Sequence, residues 1–414
     1  MGRRAVNDFN SELASRLDTL REQNLFRALR RVDSPQSPRI KLDGRTVLNF
    51  SSNDYLGLAN HPALKEAAIK AIEQFGAGAG ASRLLSGSLA PFHQLEEALA
   101  DFKGTEAALT FSTGFATAVG TIGGLMGRDD VVILDKLAHA SIVDGARLCG
   151  ARLRVFAHND LADLEDKLQW AARHSSAPGG SRKGRTLVVT ESIFSMDGDA
   201  APLREIVALK EKYGAWLMAD EAHATGVAGK GGRGLAGLPG VAGRIEVQMG
   251  TLGKALGASG GYICGSRPLI DLLVNRARSF IFSTAPVPAA AAAATAGIQL
   301  AQSSIGEKLR AALSERVAQC RAVIAAISVI GKTSASRKMP EPAGAILPLI
   351  LGGETRTLEV AGRLMKRDIY VPAIRYPTVA RGAARLRLTV TAAHTREDLS
   401  QIAAGLADAV NPPT

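Results

Sequence analysis

Seven short apolar runs between residues 107 and 265 set the strongest limit on how this chain folds. They are "AALTFS", "VVILD", "RLRVFA", "TLVVTE", "AWLMAD", "VQMGTL" and "GGYICG". Each is too short for a helix, and most are too continuously apolar for a strand with one wet face. Helical patterns such as "LADLEDKLQWAARH" and "LREIVALKEKYG" lie between several of them. Strands buried on both faces and separated by helices predict an α/β fold with a mostly parallel sheet. Several runs end in small or polar residues, at Ser112-Thr113-Gly114, Asp135, Glu191 and Asp220-Glu221. Ligands of open parallel sheets bind beyond such carboxyl ends, so a site is expected there.

The flanks read differently. Leu13, Leu17, Leu20, Leu25 and Leu29 predict an amphipathic helix over residues 8 to 31. "IKLDGRTVLNFSS" predicts a hairpin turning at Asp43-Gly44, and "HPALKEAAIKAIEQF" a helix with Pro62 near its start. "GAGAGASRLLSGS" reads as a flexible connection, and "SSAPGGSRKGR" at 175 to 185 as a disordered one. Beyond the alanine-rich helix, "GAILPLILGG", "YVPAIRYPTV" and "ARLRLTVTAAH" predict strands, followed by a last helix from Arg396. The division expected is an N-terminal helix and hairpin (1–48), a large α/β domain (49–288) and a smaller α+β domain (289–414).

The formal charge of +11 suits either a basic surface or attraction of a small polyanion. Its arginines are scattered and aromatics are few, so no basic stripe with stacking residues supports nucleic-acid binding. The alanine-rich run "APVPAAAAAATAGIQLA" carries two prolines and argues against a membrane span. The three cysteines, Cys149, Cys264 and Cys320, have neither metal nor disulfide spacing, which favours a reducing compartment, here the cytoplasm.

Two phosphate-loop patterns fail. Gln248 and Ala255 stand where a P-loop around Gly253-Lys254 needs Gly and Ser or Thr. "GAGAGA" follows a helix rather than a strand, which a dinucleotide fingerprint does not. Asp220 and His223 in "ADEAH" lie at a strand end; no third and fourth metal ligand follows at a recognisable spacing. Alone, that pair is as consistent with a satisfied structural contact. Lys254 changes the balance, because it follows by one strand-helix-strand step, in the small-residue loop "TLGKALGASG". An acid at a strand end and a lysine in a thin apolar loop suit pyridoxal phosphate chemistry. The lysine binds the aldehyde, and the acid keeps the pyridine nitrogen protonated. Desolvation also lowers a lysine's pKa and frees its amine.

"TLGKALGASG" resembles the signature of the α-oxoamine synthases, pyridoxal-phosphate enzymes of fold type I, the aspartate-aminotransferase-like fold. "FSSNDYLGL", "HQLEEALADF", "LAHASIVDGARL", "FAHNDLADLE", "VVTESIFSMDGDAAPL", "DEAHATGVAGKGGRG" and "PTVARGAARLRLTVTAAHT" resemble that family too, in its order. The resemblance runs from about residue 25 to the end. It implies pyridoxal 5′-phosphate as cofactor, Lys254 as Schiff-base lysine, Asp220 at the pyridinium nitrogen and His223 at the phenolic oxygen. It implies His139 stacked over the ring, where it also serves an oxyanion, and Ser195 hydrogen-bonded near the ring. Gly114 and Phe115 would offer N–H groups to the phosphate, Thr251 would add a hydroxyl, and Thr284 would reach a partner subunit's phosphate. Arg387 would clamp the amino-acid carboxylate with help from Asn53, and Arg27 would approach the acyl chain.

The family joins a small amino acid to an acyl thioester. Within it, "NFSSNDYLGL", "FAHND", "SMDGD" and "AIRYPTVARGAARLRLTVTAAH" resemble most the members that condense L-alanine with pimeloyl-CoA or pimeloyl-acyl carrier protein in biotin synthesis. "GTLGKALGASGGY" and "DGARL" lie closer to members that use glycine and acetyl-CoA. The resemblance also implies a homodimer whose subunits share active sites.

Overall fold

The computed structural model describes residues 8–174, 184–330 and 343–411. All seven apolar runs form one sheet: β1 (Ala107–Phe111), β2 (Val131–Asp135), β3 (Arg152–Phe156), β4 (Thr186–Glu191), β5 (Trp216–Asp220), β6 (Val247–Thr251) and β7 (Gly261–Gly265). Their spatial order is β1-β7-β6-β5-β4-β2-β3. β2 to β6 pair in parallel, while β7 runs antiparallel to both its neighbours. Alternate residues feed two cores: Val132 and Leu134 face one side, Val131 and Ile133 the other. Burial on both faces explains why six of these strands read as apolar runs; β3, at the sheet edge, is only partly buried and carries Arg152 and Arg154.

The step from β5 to β6 is not the helix that the spacing suggests. Among the described residues it holds two 3-10 turns, Lys230–Gly232 and Leu235–Gly237. Gly229, Gly231, Gly232 and Gly234 all have positive φ, which breaks any α-helix there. At Gly234 a side chain would also collide with Glu221, since a Cβ would lie 2.3 Å from Oε2. Glu221 is fully buried and pairs with Lys103, the last residue of the helix Ala90–Lys103. Lys103 also donates to the Arg233 carbonyl, and Glu221 accepts the Ala236 N–H at 2.9 Å. The pair thus fastens the glycine turns to the end of β5, next to Asp220.

Ile346–Gly352, Ala373–Ile374 and Ala384–Thr389 make a smaller antiparallel sheet. The predicted hairpin forms from Arg39–Leu42 and Arg45–Asn49, with Ile369–Tyr370 added in parallel. Asp43 and Gly44 supply the two positive φ angles, 48° and 81°, of a tight hairpin turn. One core runs from Leu48 and Phe92 through Ala294 and Ile324 to Leu386 and Leu406, so the C-terminal domain packs directly on the large one. The last helix spans Arg396–Val410 and opens on a Thr395–Asp398 capping box.

Three further expectations change. The first helix covers Phe9–Glu22 instead of residues 8 to 31; Asn24, at φ 56°, turns the chain out of it. Leu13, Leu17 and Leu20 remain exposed on it. "GAGAGASRLLSGS" is tethered: Arg83 is buried, forks onto Glu96 at 2.8 and 3.0 Å and bonds Ser88 at 2.9 Å. "YVPAIRYPTV" forms strand only at Tyr370, the end of Ile369–Tyr370, and at Ala373–Ile374. The disorder expected at 175 to 185 lies almost wholly outside the described residues.

Removing one partner of the Lys103–Glu221 pair strands a buried charge, a loss of about 3–5 kcal/mol. Glu221→Ala is therefore expected to lower unfolding free energy in urea by that amount, and Lys103→Met/Glu221→Leu to recover most of it. A loss under about 1 kcal/mol would show that the pair is not isolated from water.

Candidate active site

The carboxyl ends of β4, β5 and β6 converge on Lys254. Asp220 ends β5, buried, with Oδ1 accepting the Ala222 N–H at 2.9 Å. Glu191 ends β4 opposite Asp220 in register. Thr251 ends β6, and its hydroxyl donates to the Gly260 carbonyl at 2.9 Å, closing the loop that carries Lys254. The small residues of that loop have a packing reason. A Cβ on Gly257 would lie 2.6 Å from the Leu58 carbonyl carbon.

Lys254 Nζ lies 2.8 Å from His223 Nε2. His223 Nδ1 lies 2.6 Å from the Tyr55 hydroxyl, and Tyr55 donates to Asn53 Oδ1 at 3.3 Å. Arg387 Nη1 donates to the same Asn53 oxygen at 3.2 Å. One assignment of protons satisfies the chain: Lys254 donates to a neutral His223, whose Nδ1–H donates to Tyr55. Burial, with the charges of Lys254, Arg387 and His139, holds the His223 pKa well below the ordinary imidazole value, so the ring is neutral; the Tyr55 bond to Asn53 is what selects the Nδ1–H form. Burial likewise pushes the Tyr55 hydroxyl up to about 12, so it stays protonated.

Lys254 is partly buried by surface area, and protein surrounds its amine. Desolvation brings its pKa down to about 8, against the pull of Asp220 and Glu191 and with the push of Arg387. The two carboxyls move the other way: burial raises Asp220, and burial with the Asp220 charge raises Glu191 to about 8. Glu191 Oε2 accepts the Ser195 N–H at 3.0 Å, while Oε1 is buried without a partner among the described residues.

Arg387 owes its place to strand alternation. In "ARLRLT", Leu386 and Leu388 enter the core, whereas Arg385 and Arg387 reach the loop after β4. Arg387 Nε donates to the Ser195 carbonyl at 2.7 Å and Nη1 to Thr389 at 3.1 Å; Arg385 Nη1 pairs with Asp197 at 2.7 Å. Ser195 therefore joins Glu191 to Arg387 through its backbone.

His139 caps the helix Ala140–Leu148, its Nδ1 2.7 Å from the Ser141 hydroxyl. His139 is exposed as a residue, yet burial of its ring still lowers its pKa, opposed by the Asp220 charge and reinforced by that of Lys254. Gly114 and Phe115 open the helix Gly114–Leu125. Thr113 takes the Ala116 and Thr117 N–H groups, leaving those of Gly114 and Phe115 without partners among the described residues. A Cβ on Gly114 would lie 3.8 Å from Thr251, so this helix start and the β6 terminus form one cradle.

These groups fit pyridoxal phosphate. The cradle offers free N–H donors to a dianion, Lys254 an amine for the aldehyde, and Asp220 a buried carboxyl for the ring nitrogen. Among the described residues no group of three His, Cys, Asp or Glu could hold a metal.

Two sequence-derived residues stand apart. Arg27 lies outside the helix, exposed, with Nη2 3.3 Å from the Tyr376 carbonyl and 3.4 Å from the Thr378 hydroxyl. Thr284 is exposed and bridges Ser82 across an isolated antiparallel pair. Conversely, Tyr55 and Glu191 belong to the constellation without having been singled out. Glu191 was visible as a polar strand end, and Tyr55 within "SSNDYLGL", but neither spacing indicates a partner.

The family model for aminotransferase class I and II matches residues 45–406. An 8-amino-7-oxononanoate synthase of Geotalea daltonii is 46% identical over 393 residues, covering 94% of this chain and 95% of its own. Among solved structures, SPT with its PLP internal aldimine superposes with a TM-score of 0.87 at 29% identity, covering 97% of this chain and 98% of its own. An 8-amino-7-oxononanoate synthase from Francisella tularensis gives a TM-score of 0.69 at 25% identity, covering 88% and 98%.

A lysine with its pKa near 8 reacts ahead of ordinary surface amines, whereas Glu66 raises the pKa of exposed Lys70. With the ligand-free protein at pH 8, a limiting aldehyde and borohydride are expected to modify Lys254 before Lys70, read by peptide mass mapping. Lys70 reacting first would contradict the lowered pKa.

Proposed function

The chain belongs to the α-oxoamine synthases within the class I and II aminotransferase family, and from that premise we propose how its site works. The reaction is condensation of L-alanine with a pimeloyl thioester to 8-amino-7-oxononanoate, a step of biotin synthesis. The observation that carries it is identity of 42–47% over most of the chain to relatives bearing that name. A carbon–carbon bond forms between the α-carbon of alanine and the thioester carbonyl. The carrier thiol leaves, and the alanine carboxylate departs as carbon dioxide.

The cofactor is pyridoxal 5′-phosphate, which when bound supplies an aldehyde for amines and an electron-withdrawing ring that acidifies the amino acid's α-hydrogen. We assign Lys254 to the aldehyde and to proton transfer at the α-carbon. Its pKa of about 8 leaves a useful share of free amine near neutrality. Asp220 would keep a proton at the ring nitrogen, and His223, fixed by Tyr55 at Nδ1, would meet the phenolic oxygen through Nε2. The Gly114 and Phe115 N–H groups and Thr251 bind the phosphate. Ser195 would hydrogen-bond near the ring, and His139 would stack on the ring and serve the oxyanion of the incoming thioester. Arg387, steadied by Asn53, binds the alanine carboxylate, and Arg27 meets the acyl chain.

We further assign a homodimer with shared sites. The exposed leucines of the first helix, with Leu85 and Phe282, leave apolar surface that a second copy would cover. Thr284 would then face the neighbouring subunit's phosphate. Sedimentation is expected to give twice the chain mass. A cytoplasmic location accords with three unpaired cysteines.

The reaction is tested by offering alanine or glycine with acetyl-, succinyl- or pimeloyl-CoA and weighing the product. Alanine with pimeloyl-CoA should win; preference for glycine with acetyl-CoA would move the chain to the alternative activity. Lys254→Ala should abolish turnover. Arg387→Lys should raise the alanine KM by about 10- to 100-fold, since a lysine cannot reproduce the planar fork. Arg27→Ala should raise the KM for pimeloyl-CoA and leave that for alanine unchanged; the reverse pattern would exclude both assignments.

A further inference from the structure

One buried cluster lies beside the site and takes no part in the chemistry above. His158, in the loop after β3, stands between two carboxylates: Nδ1 is 3.0 Å from Asp135 Oδ1 and Nε2 is 2.9 Å from Asp199 Oδ2. The Asp135 side chain is fully buried, that of Asp199 nearly so, and that of His158 one-quarter exposed (25%). Asn159, with φ 55°, completes the lock. Its N–H donates to Asp135 Oδ2 at 3.0 Å, and its amide donates to Asp199 Oδ2 and the Ala200 carbonyl, both at 3.1 Å. Burial works against charge on His158, but hydrogen bonds and charge from the two aspartates outweigh it and push its pKa up to about 10. The ring therefore donates from both nitrogens.

Each aspartate holds a loop that the site needs. Asp135 Oδ1 accepts the Leu137 N–H at 2.8 Å and its carbonyl accepts the Ala138 N–H at 3.0 Å, shaping the turn that delivers His139. The Asp199 carbonyl accepts the Phe194 N–H and the Phe194 carbonyl accepts the Gly198 N–H, both at 2.9 Å, closing the turn that contains Ser195. The Phe194 ring meets His158 edge-on, with centroids 4.4 Å apart. Ser195 in turn accepts from Arg387. A single side chain thus ties the His139 turn to the Ser195 turn, across the carboxyl ends of β2, β3 and β4.

We propose that His158 is a positioning residue: by bridging Asp135 and Asp199 it sets the relation between His139 and the Ser195–Arg387 contact, and so governs how the enzyme engages its amino acid. The proposal rests on the reading of Arg387 as the carboxylate clamp. His158→Gln removes the charge and leaves two buried carboxylates facing a neutral amide. Adding Asp199→Asn removes one of them and restores a donor–acceptor match.

The test follows L-alanine binding to the holoenzyme through the change in cofactor absorbance, together with KM, kcat and melting temperature. His158→Gln is expected to keep its cofactor and raise both the alanine Kd and KM about tenfold, with kcat within about threefold, as for a displaced binding group. His158→Gln/Asp199→Asn should return most of the alanine affinity. If His158→Gln fails to fold, Asp199→Asn alone serves, with weakened alanine binding expected. Unchanged alanine affinity in the folded variant, or a double variant as impaired as the single one, would overturn the proposal. Wild-type holoenzyme with no response to any amino acid would overturn the Arg387 reading and the proposal with it. A normal wild-type response shared by the variant overturns the His158 role alone.

Discussion

An amine kept next to a neutral imidazole, rather than next to a carboxylate, is the interaction on which this site depends. Lys254 donates to His223, His223 to Tyr55, and Tyr55 and Arg387 meet on Asn53. A direct ion pair with Asp220 would hold the lysine charged and unreactive. The chain instead reserves Asp220 and spreads the polar contacts over residues from distant parts of the sequence. It also couples the two domains, because Asn53 and Tyr55 precede the large sheet and Arg387 comes from the C-terminal one.

The fold makes that arrangement affordable by geometry. Parallel strands place Glu191, Asp220 and Thr251 at one edge, and glycines let the loop of Lys254 and the helix at Gly114 approach closely. The Lys103–Glu221 pair secures the turn after Asp220 from below, and His158 secures the turns of His139 and Ser195 from the side. Each is a buried charge neutralised locally, where the low dielectric makes a pair rigid and a missing partner costly.

Much of this was legible in the sequence. Strands buried on both faces announce themselves as apolar runs, and the acid–lysine order across one strand step points to the chemistry from the sequence alone. Local backbone choices were less legible. Leucine spacing continues past Glu22, so nothing periodic warns that Asn24 turns left-handed, and four glycines replace the expected helix before β6. Tyr55 and Glu191 escaped for a different reason: their roles are tertiary contacts. The same holds for Asp135, His158 and Asp199, which are far apart in sequence and meet only when three strands end side by side.

The state of His223 tests this account most directly. Nitrogen-15 NMR of histidine-labelled, ligand-free protein reports each ring nitrogen's protonation through its chemical shift. The hydrogen-bond chain requires a neutral ring protonated at Nδ1 and bare at Nε2 from pH 6 to 8. An imidazolium at neutral pH, or a proton on Nε2, would mean that Lys254 is not held as described.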